Sequence, residues 1–145
     1  MSFYLGTTTL MAPSLPSWLE ETCQRLLDND PSLKTLELSR TRIDDVFAKV
    51  VARALEDNHT VTAFILSCYS IVDDGAYAIG SVLGTNNQIL KLQLRDLRNS
   101  REVITFFKSL LQNTSLEEIS LRHAQICPKS ATFIANFLSV HPRLK

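Results

Sequence analysis

Leu33-Lys34-Thr35-Leu36-Glu37-Leu38 alternates apolar and polar residues, and the same six-residue pattern returns three times along the chain. It recurs as Val61-Thr62-Ala63-Phe64-Ile65-Leu66, as Ile89-Leu90-Lys91-Leu92-Gln93-Leu94 and as Leu116-Glu117-Glu118-Ile119-Ser120-Leu121. The copies start 28, 28 and 27 residues apart, and Leu144 stands 28 residues beyond Leu116. One such hexad is weak; four in near-constant register mark a tandem repeat. Stepping back 28 residues from Leu33 reaches Leu5, with Leu10 and Leu15 where Leu38 and Ile43 stand. A first, degraded copy is therefore expected over 5–32, since Thr8 takes the Leu36 place and Pro13 follows. Full repeats are expected at 33–60, 61–88, 89–115 and 116–143, with a further one opening at 144, all in one domain over 1–145.

Each copy divides into two periods. Its first residues alternate, Leu36 and Leu38 against Thr35, Glu37 and Ser39, which predicts a short strand buried on one face. Its second half has helical spacing, as in Ala48, Val51, Ala52, Leu55 and in Ala76, Ile79, Gly80, Leu83. Val103, Phe106, Phe107, Leu110 and Ala131, Ile134, Ala135, Leu138 continue the series, each set forming one apolar stripe at about 100° per residue. Ser17 to Leu27 fits the same slot, with Cys23 and Leu27 expected to face inward. Asp45, Asp73 or Asp74, and Ser100 stand where helix N-caps are wanted, and Pro128 suits a first helical turn. Asn58, Asn86 and Asn113 recur at helix ends, where asparagine can take a left-handed C′ conformation.

No strand or helix of this size shelters its apolar face alone. Stacked in order, the strands make a parallel sheet and the helices a second layer, with the repeated leucines between them. The expected fold is α/β, a right-handed β–α solenoid with strands on the concave side and helices on the convex side.

On these LxxLxL hexads and the 28-residue period, residues 5 to 145 resemble a leucine-rich-repeat protein of the ribonuclease-inhibitor-like subtype. The resemblance implies an Asn or Cys three places after the third Leu, tying the turn between units. Here that place holds Thr41, Tyr69, Leu97 and Ala124; only Thr41 can partly substitute, so looser turns are expected after the strands. The third unit is one residue short near Leu97 to Asn99, and Leu97 is expected to turn inward like Ile43, Ile71 and Ile126. Phe107 replaces the small residue at Ala52, Gly80 and Ala135, and its ring is expected to rest over Gly80.

Composition narrows the function. Fifteen Lys and Arg offset 15 Asp and Glu among 145 residues, so the basic excess of a general nucleic-acid binder is missing. The N-terminus does not read as a signal peptide, and no apolar run reaches the roughly 18 residues of a membrane-spanning helix. Cys23, Cys68 and Cys127 are odd in number with no CxxC spacing, which suits a reducing cytoplasm and predicts neither a disulfide framework nor a zinc site. Phosphate-loop, HExxH and GxSxG motifs are missing, so neither a cofactor nor a metal is expected. The place after each strand holds Arg40, Cys68, Asp96 and His123 in turn, a superficial thiol triad. Rungs about 4.8 Å apart would leave Cys68 and His123 about 10 Å apart, too far for a nucleophile and its base. These are read as exposed turn residues.

The concave face is the candidate site. Alternation sends Glu37, Ile65, Lys91, Gln93, Arg95, Glu118 and Arg122 outward, while Arg40, Arg42, Tyr69 and Arg98 follow in the adjoining loops. An arginine-rich strip with Ile65 and Tyr69 as exposed apolar anchors predicts a protein partner, acidic in character, bound without catalysis. The apolar last helix, with Phe133, Ile134, Phe137 and Leu138 and no capping helix beyond, predicts further repeats or packing through the C-terminal end. The resemblance implies a range of activities: ribonuclease inhibitors, sensor regions of NOD-like receptors, actin-capping tropomodulin-like proteins and activators of the Ran GTPase. A Ran-type GTPase-activating module is the alternative to a plain interaction scaffold.

Overall fold

The structure, a computed structural model, describes residues 14–145. Strand and helix alternate without exception: α1 (Ser17–Leu27), β1 (Thr35–Leu38), α2 (Asp45–Leu55), β2 (Ala63–Ser67), α3 (Asp73–Thr85), β3 (Lys91–Arg95), α4 (Ser100–Leu110), β4 (Glu118–Arg122) and α5 (Pro128–Val140). Leu5, Thr8, Leu10 and Pro13 of the degraded first copy lie outside the described residues.

The four strands form one parallel sheet in sequence order, and its register is the repeat itself. Leu36 faces Phe64, Phe64 faces Leu92, and Leu92 faces Ile119. The same main-chain bond recurs one unit at a time: Thr62 N–H to the Lys34 carbonyl (2.8 Å), Leu90 to Thr62 (2.8 Å) and Glu117 to Leu90 (2.7 Å). The helices pack in order beside one another, and the hexad leucines fill the space between the two layers. Parallel strands need long crossovers, which the helices supply. The arrangement is a leucine-rich-repeat-type α/β fold.

The turn that ties the units together is the one from helix to strand. Asn58, Asn86 and Asn113 do not take positive φ; they are buried, and each bridges two units. The Asn86 amide donates to the Leu55 carbonyl and to the Asn58 carbonyl, both at 3.2 Å, while its oxygen accepts from Gln88 N–H (2.8 Å) and Ile89 N–H (3.1 Å). Asn58 donates to the Leu26 carbonyl at 2.9 Å, and Asn113 to that of Leu83 at 2.7 Å. These carbonyls close the preceding helices, whose last turns lack intrahelical donors. Asp30 and His141 occupy the same place at the two ends of the column. Asp30 accepts from Ser32 N–H (2.9 Å), and His141 Nδ1 accepts from Arg143 N–H (3.3 Å). The turns after the strands rely on main-chain bonds instead, such as Asp96 N–H to the Arg122 carbonyl (2.9 Å).

Several expectations are corrected. Leu27 is 47% exposed, and the inward stripe of α1 is Leu19, Cys23 and Leu26, the i, i+4, i+7 spacing of one helix face. Caps sit one residue earlier than expected: Asp44 accepts from Phe47 N–H and Asn99 from Arg101 N–H, both at 2.9 Å. Asp45 reaches the next unit, accepting from Val72 N–H at 2.7 Å, so α3 begins without a cap from its own aspartates. Pro128 opens α5 as expected, behind a capping box of Cys127 and Ser130.

Phe107 is buried but does not rest over Gly80. The Ala52, Gly80, Phe107, Ala135 column points to the following helix, so Gly80 meets Ser109 of α4, whose Cβ lies 2.6 Å from where a Gly80 Cβ would be. Phe107 meets Phe137 of α5 edge-to-face, with ring centroids 5.3 Å apart. Leu97 turns inward with Ile43 and Ile71, as expected. Ile126 is 51% exposed, and Ala131, Ala135 and Leu138 are exposed too, because no helix follows α5 among the described residues.

Candidate functional site

The exposed face of the sheet carries three rows of side chains, set by strand alternation. At the N-terminal row Lys91 and Glu118 form an ion pair across β3 and β4 at 3.3 Å, which cancels their charges. In the middle row Glu37 accepts from Ser39 Oγ at 2.7 Å, Ile65 is half-buried rather than exposed, and Gln93 turns its carboxamide oxygen to the Arg95 guanidinium. At the C-terminal row Arg95 stands directly opposite Arg122 on the neighbouring strand. Like charges in register repel unless an anion lies between them.

The loops beyond the strand ends continue this positive region. Tyr69 is 51% exposed, and the Arg98 guanidinium lies over its ring, 4.0 Å from the centroid. Arg40 and Arg42 are exposed on the loop from β1 to α2, and with Ser39, Thr41, Ser67, Tyr69 and Asp96 they line a recess of about 270 Å³. The six ion pairs of the described residues include none of Arg40, Arg42, Arg95, Arg98 and Arg122. Of the other four arginines, Arg25, Arg101 and Arg143 are each paired with a carboxylate, and Arg53 of α2 is not; what marks the strand-end five is that they gather at one edge of the sheet.

The structure thus divides the eleven candidate residues. Arg40, Arg42, Tyr69, Arg95, Arg98 and Arg122 gather at the strand C-terminal ends; Glu37, Ile65, Lys91, Gln93 and Glu118 lie further back along the sheet. The recess adds Ser39, Thr41, Ser67 and Asp96 to these candidates; alternation sends the two serines outward and Asp96 reads as a turn residue, but only the packed units bring them together with the arginines.

The apparent thiol triad has no nucleophile. Cys68 is buried rather than an exposed turn residue, and burial, with the Asp96 carboxylate beside it, pushes its thiol well up. Asp96 accepts from Ser67 Oγ at 3.0 Å and lies 3.5 Å from His123 Nδ1. Asp96 and His123 share a left-handed backbone, φ 59° and 53°, so the two turns have the same shape. Cys127 at the start of α5 differs: hydrogen bonds from Ser130 and Ser100 bring its thiol down to about 7. Among the described residues no cluster of His, Cys, Asp and Glu could hold a metal ion, and no helix is long and apolar enough to cross a membrane. A larger groove, about 560 Å³, runs on the helix side between α3 and α4 past Tyr77, Ser81, Gly84 and Ser109, with Lys108 as its one charged side chain.

No family model matches the chain. Among curated proteins it is similar to leiomodin-1 of Homo sapiens, 27% identical over 125 residues, which is 84% of this chain and 21% of that protein. Leiomodin-1 of Rattus norvegicus is 28% identical over 115 residues, 77% of this chain and 19% of that protein. The chain spans about a fifth of the length of the curated relatives it matches. Among solved structures, the tropomodulin C-terminal domain of Caenorhabditis elegans superimposes with a TM-score of 0.51 at 13% identity, over 83% of this chain and 91% of that one, a likeness of fold alone. Leiomodin-1 actin-binding site 2 superimposes with a TM-score of 0.73 at 27% identity, over 90% of this chain and 78% of that one. In both sequence and fold, then, this chain is similar to an actin-binding domain of leiomodin-1.

Proposed function

We propose that the chain is a non-catalytic protein-interaction scaffold of the cytoplasm whose partner is actin, received on the open sheet face and the strand-end loops. The observation that carries this reading is the similarity to leiomodin-1 actin-binding site 2, in fold over 90% of the chain and in sequence over most of it. The polarity of the exposed face supports it, since a charged sheet flanked by arginines suits a protein surface better than a small molecule. In this reading the fold is a right-handed curved solenoid of the ribonuclease-inhibitor-like subtype, one domain over 1–145. The candidate contacts are the eleven residues divided above. The relatives found give no support to the Ran-type GTPase-activating alternative.

Co-sedimentation with filamentous actin, together with a native-gel shift with monomeric actin, tests the proposal. Saturable binding in either assay is expected. A chain that stays in the supernatant and shifts no actin monomer contradicts the choice of partner.

A further inference from the structure

Six arginines make no ion pair among the described residues; Arg53 lies apart on α2, and the other five follow one line across the units. Arg40 and Arg42 lie beyond β1, Arg95 and Arg98 at the end of β3, and Arg122 at the end of β4. Tyr69, beyond β2, bridges the line through its stack with Arg98. Asp96, which lines the same recess, and Glu37 form no ion pair with these arginines among the described residues. Asp96 is shared between Ser67 and His123, and Glu37 takes the Ser39 hydroxyl. Meanwhile Arg95 and Arg122 stand in register on adjacent strands, which sets two guanidinium side chains side by side on one face of the sheet.

From this geometry we infer that the strand-end line recognises an acidic polypeptide segment laid across the repeats. Its carboxylates bridge Arg95 with Arg122 and enter the recess beside Arg40 and Arg42, and the Arg98–Tyr69 stack supplies a flat anchor. Guanidinium groups bind carboxylates in a planar, bidentate fashion, and stacking holds Arg98 in place before a partner arrives. The Asp96 carboxylate and the Ser39 and Ser67 hydroxyls among these arginines can take a peptide's N–H groups, which favours a peptide over a membrane surface. This inference rests on the protein-binding reading above but not on actin as the partner.

The test is fluorescence anisotropy of labelled hexaglutamate titrated with the full chain, against hexaglutamine as the uncharged probe. Hexaglutamate is expected to bind at least about tenfold more tightly, and to weaken as salt is raised. Arg42→Gln with Arg98→Gln should weaken it by about tenfold, while Arg53→Gln, an exposed arginine on α2, should leave it within about twofold. Circular dichroism melts establish that each variant is folded, and Arg122→Gln gives a second reading should the double variant unfold. Equal affinity for the two probes, no affinity for either, or equal loss with Arg53→Gln would overturn the inference. Tighter binding to phosphatidylserine vesicles than to hexaglutamate would overturn it in favour of a lipid surface. If hexaglutamate binds as expected but actin does not, only the actin proposal fails; if actin binds and hexaglutamate does not, only this inference fails.

Discussion

Asn86 shows how much one side chain can hold in this fold. Its amide and oxygen make four hydrogen bonds to main-chain groups of two neighbouring units, and it is buried. Truncation would take this partner from the Asn58 carbonyl and from the Gln88 and Ile89 N–H groups, while the Leu55 carbonyl keeps the Asn58 N–H; each group left buried and unpaired costs about 1–3 kcal/mol before relaxation. Asn86→Ala is therefore expected to lower unfolding free energy by roughly 3 kcal/mol in urea titration. Thr41→Ala, which removes a single 3.4 Å bond to the Leu38 carbonyl, should lower it by under about 1 kcal/mol. His141 ends the same column differently. Its Nε2 lies 3.1 Å from Asn113 Oδ1 while its Nδ1 accepts from Arg143, an arrangement that requires the neutral ring. Burial, with the Arg143 charge nearby, holds its pKa below the usual 6.5. The unfolded chain therefore binds the proton more readily, so this part of the stability is present above pH 6.5 and is lost as pH falls below it. Denaturation midpoints should fall on acidification across that window, and His141→Asn, which supplies a non-titrating amide, should flatten the fall. An unchanged slope in the variant would speak against the role given to His141.

At the scale of elements, the helix layer is not uniformly spaced. Gly80 and Gly84 of α3 sit against Ser109 of α4, and a Cβ on Gly84 would lie 2.6 Å from the Ser109 carbonyl oxygen. One unit later, Phe107 and Phe137 fill the equivalent gap with two rings. Small residues meet small ones and large meet large, so each pair fills its own gap. Gly84→Ala is expected to cost about 1–3 kcal/mol, because the clash is with main chain that cannot rotate away. Thermal melts of Gly84→Ala should show a lowered midpoint despite the roughly 1 kcal/mol that alanine gains in helix propensity; an unchanged or raised midpoint would contradict the clash. The sequence displayed both columns, but periodicity alone does not say which of two neighbouring helices a column faces. That ambiguity is why the Phe107 ring was expected over Gly80 rather than against Phe137.

Across the whole molecule, strand–helix alternation and parallel order were legible because the hexads repeat at nearly constant spacing, and constant spacing is what stacking in register requires. The asparagines were equally visible. Their role was not, since a helix-end asparagine can either adopt positive φ or stay buried and bridge, and only packing of adjacent units decides. The candidate site was legible residue by residue, because alternation fixes which side chains leave the sheet. How those residues group was hidden: the Lys91–Glu118 pair and the Arg98–Tyr69 stack form between units, and neither leaves a mark in any single repeat. On the proposed reading, partners are received on the strand side of the stack. Amide chemical-shift mapping of the isotope-labelled chain, titrated with monomeric actin, separates that side from the helix side residue by residue. Perturbation centred on residues 39–42, 67–70 and 95–99 is predicted; shifts confined to the helix side around Tyr77, Ser81 and Lys108 would contradict the claim.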